Sequence, residues 1–173
     1  MQGTLTEFID KKQIECLNQS DKHTFTSIFG PEDASKQYLE SDVDEQIILV
    51  VPFHQVVKLH SIKITGPKEN APSYIKTFIN RPVTLSFDEA ETIDAIESID
   101  LTPLYSGSAD DSTVTATVQL RFVKYQSVNS VTIFVGQNLG KQDTTVINKI
   151  VFYGSPVEVT KSLTELKKDG HEH

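Results

Sequence analysis

The H-x-H spacing in K-D-G-H-E-H, at residues 168–173, is the pattern in this chain that most suggests metal binding. Two imidazoles, His171 and His173, flank the carboxylate of Glu172 beside the C-terminus, and this is the only H-x-H in the chain. Neutral imidazole is the commonest ligand of zinc. Two histidines do not make a metal site by themselves. We expect residues 161–173 to be a mobile tail, which the residues alone predict to be a frayed, solvated end with two incidental histidines. The alternative is a segment that offers an imidazole as a metal ligand.

Reactive groups elsewhere do not form a catalytic set. Cys16 is the only cysteine, so the chain has no redox C-x-x-C, and its apolar neighbour Leu17 predicts a small core residue. The fragment Ser106-Gly107-Ser108 lacks the G-x-S-x-G pattern of a nucleophile elbow, and no nucleotide-binding glycine motif is present. The remaining histidines are expected to pack or to lie on the surface: His23, His54 and His60. We therefore expect no enzyme activity and no cofactor.

An acidic stretch offers hard oxygen ligands at nearby positions: Glu40, Asp42, Asp44 and Glu45. Such oxygens could bind calcium, but the spacing matches no EF-hand loop and the glycine of its sharp turn is missing. The simpler interpretation is a solvated loop before a strand, in which some of the carboxylates cap backbone N–H groups.

Composition limits the possible partners. Sixteen Lys and Arg against 24 Asp and Glu give a net charge of −8, which disfavours nucleic acid and anionic membrane surfaces. The longest apolar stretch, residues 47–53, is too short to span a bilayer, and the first ten residues do not read as a signal peptide. A single cysteine fits a reducing compartment.

The elements that would carry these residues are mostly strands. Residues 113–122 alternate apolar and polar side chains with period two, which predicts a strand with one buried face that includes Phe122. The stretch V-K-L-H-S-I-K-I-T-G changes its apolar phase near His60 and Ser61, which predicts a β-bulge there. Further strands are expected in the β-branched and aromatic stretches at residues 45–53, 74–80, 130–136 and 146–154.

Helical signal is weak. Apolar spacing predicts a short helix within residues 87–100, a second near residues 6–18 and a capped turn from Ser162. Residues 102–112 are small and polar and predict a long loop. Seven to nine short strands with few helices predict an antiparallel β-sandwich in a single domain.

Several long motifs carry a family resemblance. They are E-C-L-N-Q-S-D, Y-L-E-S-D-V-D-E-Q-I-I-L-V-V-P-F, V-K-L-H-S-I-K-I-T-G-P, F-I-N-R-P, F-D-E-A-E and R-F-V-K-Y-Q-S-V-N-S-V-T-I-F-V. Together they resemble the PITH domain, the proteasome-interacting thioredoxin domain. The resemblance implies an all-β jelly-roll sandwich of the galactose-binding-like kind. It assigns residues 8–160 to that domain, after a flexible N-terminal lead over residues 1–7.

The resemblance also implies a function. It predicts a non-enzymatic module, located in the cytoplasm and the nucleus, that docks on the regulatory particle of the 26S proteasome. There it would tether a thioredoxin domain that is not part of this sequence. Nothing in the sequence suggests a dimer interface, so we expect a monomer. Because that particle includes a zinc-dependent deubiquitinase, the tail hypothesis becomes specific. His173, with His171 as second choice, would reach the open position of that zinc in trans, with Gly170 as the hinge and Glu172 between the imidazoles.

A rival interpretation is a lectin-like or calcium-dependent module that binds a ligand through loops at one end of the sandwich. Its candidate residues are Tyr105 and the loop at residues 108–111.

Overall fold

The computed structural model describes residues 3–30, 37–107 and 112–157 of the chain. Within those ranges eleven strands and one α-helix form, more strands than the sequence predicted because several are only two residues long. The strands are β1 Gly3–Thr4, β2 Glu15–Leu17, β3 Leu39–Glu40, β4 Ile47–Pro67, β5 Pro72–Ile79, β6 Glu97–Asp100, β7 Tyr105–Ser106, β8 Thr113–Gln119, β9 Val128–Asn138, β10 Val146–Ile147 and β11 Lys149–Pro156. The helix is α1 Phe87–Thr92, and single-turn 3-10 helices cover Thr6–Phe8, Lys11–Gln13, Phe25–Ser27, Thr102–Leu104 and Phe122–Lys124.

Strand β4 is shared between two sheets. Its first part, up to Pro52, pairs with β2 and β9, whereas its second part, from Val57, pairs with β11 and β8. The pairing with β9 loses register between Pro52 and Val57, where the strand passes from one sheet to the other. Pro52 therefore marks this crossing and does not end the strand, because the chain continues extended in the second sheet.

The two sheets form the layers of an antiparallel sandwich. The front sheet has the order β6-β5-β9-β4-β2 and the back sheet the order β1-β11-β4-β8-β7. A separate small ladder joins β10 to β3. One core cluster holds buried side chains of both layers, among them Leu49 and Ile133 from the front sheet and Ile62 and Phe152 from the back sheet. The predicted antiparallel β-sandwich is confirmed.

A second, smaller apolar cluster covers the outer face of the front sheet. Phe78, Phe134 and Ile48 meet Ala90 of α1 there, and all four are buried. The helix begins at a complete capping box, in which the Ser86 hydroxyl accepts a hydrogen bond from the Glu89 N–H and the Glu89 carboxylate accepts one from the Ser86 N–H. This helix therefore covers the outer face of the front sheet.

Local expectations had mixed outcomes. The bulge near His60 is confirmed, because Tyr153 pairs with Ser61 while the next residue, Gly154, pairs with Leu59.

The helix predicted within residues 87–100 forms only in its first half, as α1. The second half becomes β6, which pairs with β5. The helix predicted near residues 6–18 is wrong. That segment makes two 3-10 turns and then β2, because Glu15 to Leu17 find backbone partners in β4. The long loop predicted at residues 102–112 is interrupted, because its described part contains a 3-10 turn and β7.

The first described residues belong to the fold. Gly3 and Thr4 pair with β11, and Leu5 is fully buried with its N–H donating to the Phe152 carbonyl. Residues 3–7 are therefore structured where a flexible lead was expected. In the described part of the chain, no helix has the length and apolarity needed to cross a membrane.

Candidate functional site

An exposed apolar turn stands out at one end of the sandwich. Val123 is 82% exposed and Phe122 is 37% exposed, and they are the only sequence neighbours among the exposed large apolar residues of the described ranges. Arg121 and Lys124, which flank them, are exposed as well. Large apolar side chains that are adjacent and solvated often mark an interaction site, whereas single ones are ordinary. Residues 121–124 are called the 121–124 turn below.

The turn forms because the strand before it ends. β8 stops at Gln119, and the Leu120 N–H then donates to the His60 carbonyl at 3.0 Å. Two short backbone bonds close the 3-10 turn, from the Lys124 N–H to the Arg121 carbonyl at 2.8 Å and from the Tyr125 N–H to the Phe122 carbonyl at 3.0 Å. The apolar alternation of the strand is confirmed up to Leu120. It fails at Phe122, which was expected to face the core.

Tyr125 anchors this turn in the core. Its ring is fully buried and its hydroxyl lies 2.7 Å from the hydroxyl of Thr77 on β5. Its carbonyl accepts from the Leu59 N–H of β4 at 3.0 Å. Burial raises the pKa of the Tyr125 phenol, so it stays a neutral hydrogen-bonding group at physiological pH. The turn is therefore held from two strands and has little freedom to rearrange.

His60 supports the aromatic side chain of the turn. Its imidazole stacks on the Phe122 ring, with centroids 4.1 Å apart and planes 20° from parallel. The bulge in β4 places His60 there. Burial and nearby positive charge, including that of Lys58, lower the pKa of His60. The ring is thus neutral at pH 7 and presents an aromatic face to Phe122.

The charges around the turn are predominantly positive. Arg121 and Lys124 lie on the turn, and Lys58 is close enough to act on His60. The Glu97 carboxylate is committed to structure, since one of its oxygens accepts from the Arg121 N–H at 2.9 Å. The Lys124 ammonium is 3.5 Å from the Ile96 carbonyl, which leaves it donors for another ligand. In a chain of net charge −8 this is a local cationic and apolar surface.

The opposite end of the sandwich holds a polar cleft of about 620 Å³. Its lining residues come from the loops around β9 and before β4: Val43, Asp44, Glu45, Gln137, Asn138, Lys141, Gln142 and Asp143. Asn138 is buried at its base, and its amide group donates to the carbonyls of Gln142 and Thr144 and to the Thr145 hydroxyl. Its side-chain oxygen accepts from the Gln142 N–H. This amide is thus fully used in holding the loop.

The acidic stretch that borders this cleft is organised by Asn18. The Asn18 amide donates to the Asp44 carboxylate at 2.8 Å and to the Gln46 carbonyl at 2.7 Å, and its oxygen accepts from the Val43 N–H. Asp44 also accepts from the Gln46 N–H at 3.0 Å, as expected for a capping carboxylate. Glu40 accepts from the Thr144 hydroxyl at 2.7 Å. Among the described residues no three His, Cys, Asp or Glu side chains are placed to hold a metal ion.

The other predicted site residues serve structure or lie outside the described ranges. Tyr105 packs against the core and donates to the Pro72 carbonyl at 2.6 Å, so it is no free aromatic platform for a ligand. Cys16 packs against the same core, and burial raises its pKa from 9.0 to about 12, which makes it a poor nucleophile. The loop at residues 108–111 and the tail residues Gly170, His171, Glu172 and His173 lie outside the described residues.

The sequence pattern does not predict the 121–124 turn. Its period of two places Phe122 as the last inward residue of a strand and assigns no role to Val123. A signal was present, because Phe122 and Val123 are adjacent apolar residues and a period-two pattern cannot bury both on one face.

Relatives by sequence share one family. The family model described as "PITH domain" matches residues 1–171. Thioredoxin-like protein 1 of Schizosaccharomyces pombe is 43% identical over 158 residues, which is 90% of this chain and 52% of that protein. PITH domain-containing protein P35G2.02 of the same yeast is 31% identical, covering 88% of this chain and 72% of the relative. The chain spans about half the length of Thioredoxin-like protein 1.

Relatives by structure share the fold. The family 32 CBM of Clostridium perfringens NanJ, solved with galactose, superposes with a TM-score of 0.59 at 13% identity, covering 88% of this chain and 99% of that one. CBM32-3 from a family 31 glycoside hydrolase of the same bacterium gives a TM-score of 0.57 at 12% identity, covering 87% and 97%. These likenesses confirm the galactose-binding-like jelly-roll sandwich and carry no information on ligands. From the family match over nearly its full length, the chain belongs to the PITH domain family.

Proposed function

We propose that this domain is a non-enzymatic docking module that binds the regulatory particle of the 26S proteasome. The observation that carries the proposal is the PITH family match over residues 1–171. A yeast relative named as thioredoxin-like is about twice as long as the matched region. In such a longer protein the domain would tether a thioredoxin domain to the proteasome.

The geometry is compatible with docking. The sandwich is built around one core with a strand common to both layers, so it presents a rigid surface. Three side chains of the described part that could react or bind a ligand have partners within the domain. Cys16 packs against the core, Tyr105 donates to the Pro72 carbonyl and Asp44 accepts from Asn18. The exposed apolar side chains of the 121–124 turn, by contrast, have contact surface to offer.

The C-terminal tail belongs to the proposal. The last described residue, Val157, donates its N–H to the Val56 carbonyl, close to where Leu59 bonds Tyr125. Val157 therefore lies at the end of the sandwich that carries the 121–124 turn. We propose that His173, or in second place His171, binds the open position of a partner's catalytic zinc, with Gly170 as the hinge. The domain would act as a monomer in the cytoplasm and nucleus.

The test is direct binding to purified 26S proteasome. We expect the immobilised domain to retain proteasomes, measured by subunit immunoblotting and by peptidase activity in the eluate. A domain with residues 170–173 deleted should still bind, more weakly, and should no longer alter deubiquitination of a model substrate. Failure of the intact domain to bind would overturn the docking proposal. Unchanged binding and unchanged deubiquitination after the deletion would overturn only the role of the tail.

A further inference from the structure

We propose that the 121–124 turn, with Lys58 and His60 beside it, is a docking hot spot whose partner is an acidic peptide segment that carries at least one large apolar side chain. The inference rests on the proposed docking function and deepens it, because it names the surface and the chemistry of what binds there. Four properties of the turn lead to it.

Composition is the first property. Hot spots in protein interfaces are enriched in Arg and aromatic residues, and they combine an apolar contact with charged groups at its rim. Here Phe122 and Val123 supply the apolar contact, with Arg121 and Lys124 on either side. Val123 is as exposed as Val43 at the other end, but Val43 lies beside Asp44 and Glu45 and belongs to an acidic loop.

Pre-organisation is the second property. The turn is fixed by the buried Tyr125 below it, by the backbone bond from Arg121 to the Glu97 carboxylate and by the Gln126 amide, which donates to the Phe122 carbonyl at 2.8 Å. His60 stacks on one face of Phe122 and holds its ring. A partner would therefore lose little free energy to ordering this side of the interface.

Charge complementarity selects the occupant. Arg121 and Lys124 flank the apolar pair, and Lys58 acts electrostatically on the neighbouring His60. These three cations outnumber the Glu97 carboxylate, which accepts from the Arg121 N–H. Rim cations attract an acidic segment and raise its association rate. A polyanion without apolar groups would leave Val123 unburied.

Position is the fourth property. The described chain ends at Val157, bonded to Val56 at this same end of the sandwich. A partner seated on the turn would therefore lie at the same end of the sandwich as Val157.

The probes for the test are synthetic 15-residue peptides. The first alternates Asp and Glu with Leu and Phe, the second replaces its acids with Lys, and the third replaces its apolar residues with Ser. We expect saturable binding of the first peptide alone, measured by fluorescence anisotropy. Amide chemical-shift changes should centre on residues 121–126, and the affinity should fall as salt rises from 50 to 300 mM.

Matched variants locate the site. Val123→Asp should weaken binding of the first peptide by about ten-fold, and Arg121→Glu with Lys124→Glu by about ten-fold or more. Val43→Asp has the same exposure and lies at the opposite end, so it should bind like the unaltered domain. Lys22→Glu with Lys141→Glu makes the same change in net charge at exposed positions of that end and serves as the control for the charge reversal. Circular dichroism would verify that each variant is folded.

Several outcomes would overturn the inference: shift changes centred elsewhere, equal binding of the Lys-containing peptide, no saturable binding up to millimolar concentration, or equal losses in the control variants. The same variants tested on purified proteasome separate the two proposals. Unaltered proteasome binding by Arg121→Glu with Lys124→Glu would sink this inference and leave the docking function standing. Peptide binding at the turn without proteasome binding would support this inference and overturn the docking function.

Discussion

At the scale of single residues, Tyr125 links the exposed surface to the core. Its hydroxyl meets the hydroxyl of Thr77 at 2.7 Å in a place where neither residue is exposed. The same residue closes the 121–124 turn through its backbone N–H and binds β4 through its carbonyl. A buried polar pair of this kind is costly to break from one side, because the remaining hydroxyl loses its partner.

We predict that Tyr125→Phe lowers the free energy of unfolding by about 1 to 3 kcal/mol, because the Thr77 hydroxyl is left buried without its partner. Adding Thr77→Val should cost less than the sum of the two single changes, with a coupling of about 0.5 kcal/mol or more. Urea unfolding followed by circular dichroism measures these differences. Tyr153→Phe, on a half-buried ring of β11, is the control and should stay within about 0.5 kcal/mol. Strict additivity would show that the pair does not interact.

Sequence reasoning at this scale succeeded where burial follows from residue type. Cys16 packs against the core, in agreement with the prediction, and burial raises the pKa of its thiol. It failed where a side chain's partner comes from a distant strand. Tyr105 was predicted to contact a ligand from a loop. Its hydroxyl instead donates to the carbonyl of Pro72, which lies 33 positions earlier in the chain.

At the scale of elements, the bulge where β4 meets β11 decides which side chains reach the surface. One extra residue, His60, is inserted opposite the step from Tyr153 to Gly154. The insertion turns Leu59 inward and lets His60 stack under Phe122. The candidate site therefore depends on close backbone packing at this bulge.

Gly154 makes that packing possible. A Cβ atom at this position would lie 1.9 Å from the Lys58 carbonyl oxygen, so Gly154→Ala forces the two backbones apart. We predict a loss of about 3 kcal/mol or more in unfolding free energy and a disturbed His60–Phe122 stack. Chemical denaturation measures the first effect, and the chemical shifts of the His60 imidazole the second. Gly3→Ala is the control, because a Cβ at Gly3 meets nothing within 4 Å and should cost less than about 0.5 kcal/mol. Equal small costs for both variants would show that the bulge adapts.

Elements were predictable where local pattern and tertiary pairing agree. The period-two stretch of β8 and the phase change at His60 were readable, because each reflects which face is buried. The prediction for residues 87–100 was correct only for their first half. The capping box at Ser86 fixes where α1 begins, but Glu97 to Asp100 follow β5 as a strand despite their helical spacing.

At the scale of the whole molecule, one strand holds both layers together. Because β4 contributes to each sheet, the layers share a backbone as well as a core and should unfold together. The sandwich class followed from the many short strands. The order of strands did not, because a 21-residue strand that crosses between sheets looks like two shorter ones in the sequence. The 121–124 turn could not be predicted either, because the sequence pattern does not show that β8 ends at Gln119.

The two ends of the molecule differ in the side chains that they leave available to a ligand. At the cleft end two polar side chains already have internal partners: Asn138 bonds its own loop and Asp44 bonds Asn18. A calcium ion or a sugar would have to displace these bonds, and the aromatic ring of Tyr105 is packed against the core. We predict that millimolar calcium or galactose leaves the melting temperature within about 1 °C, because a ligand raises it only by binding the native state more tightly than the unfolded one. Differential scanning fluorimetry measures this, with magnesium and glucose as matched controls. A saturable rise with calcium or galactose alone would favour a lectin-like module over a docking domain.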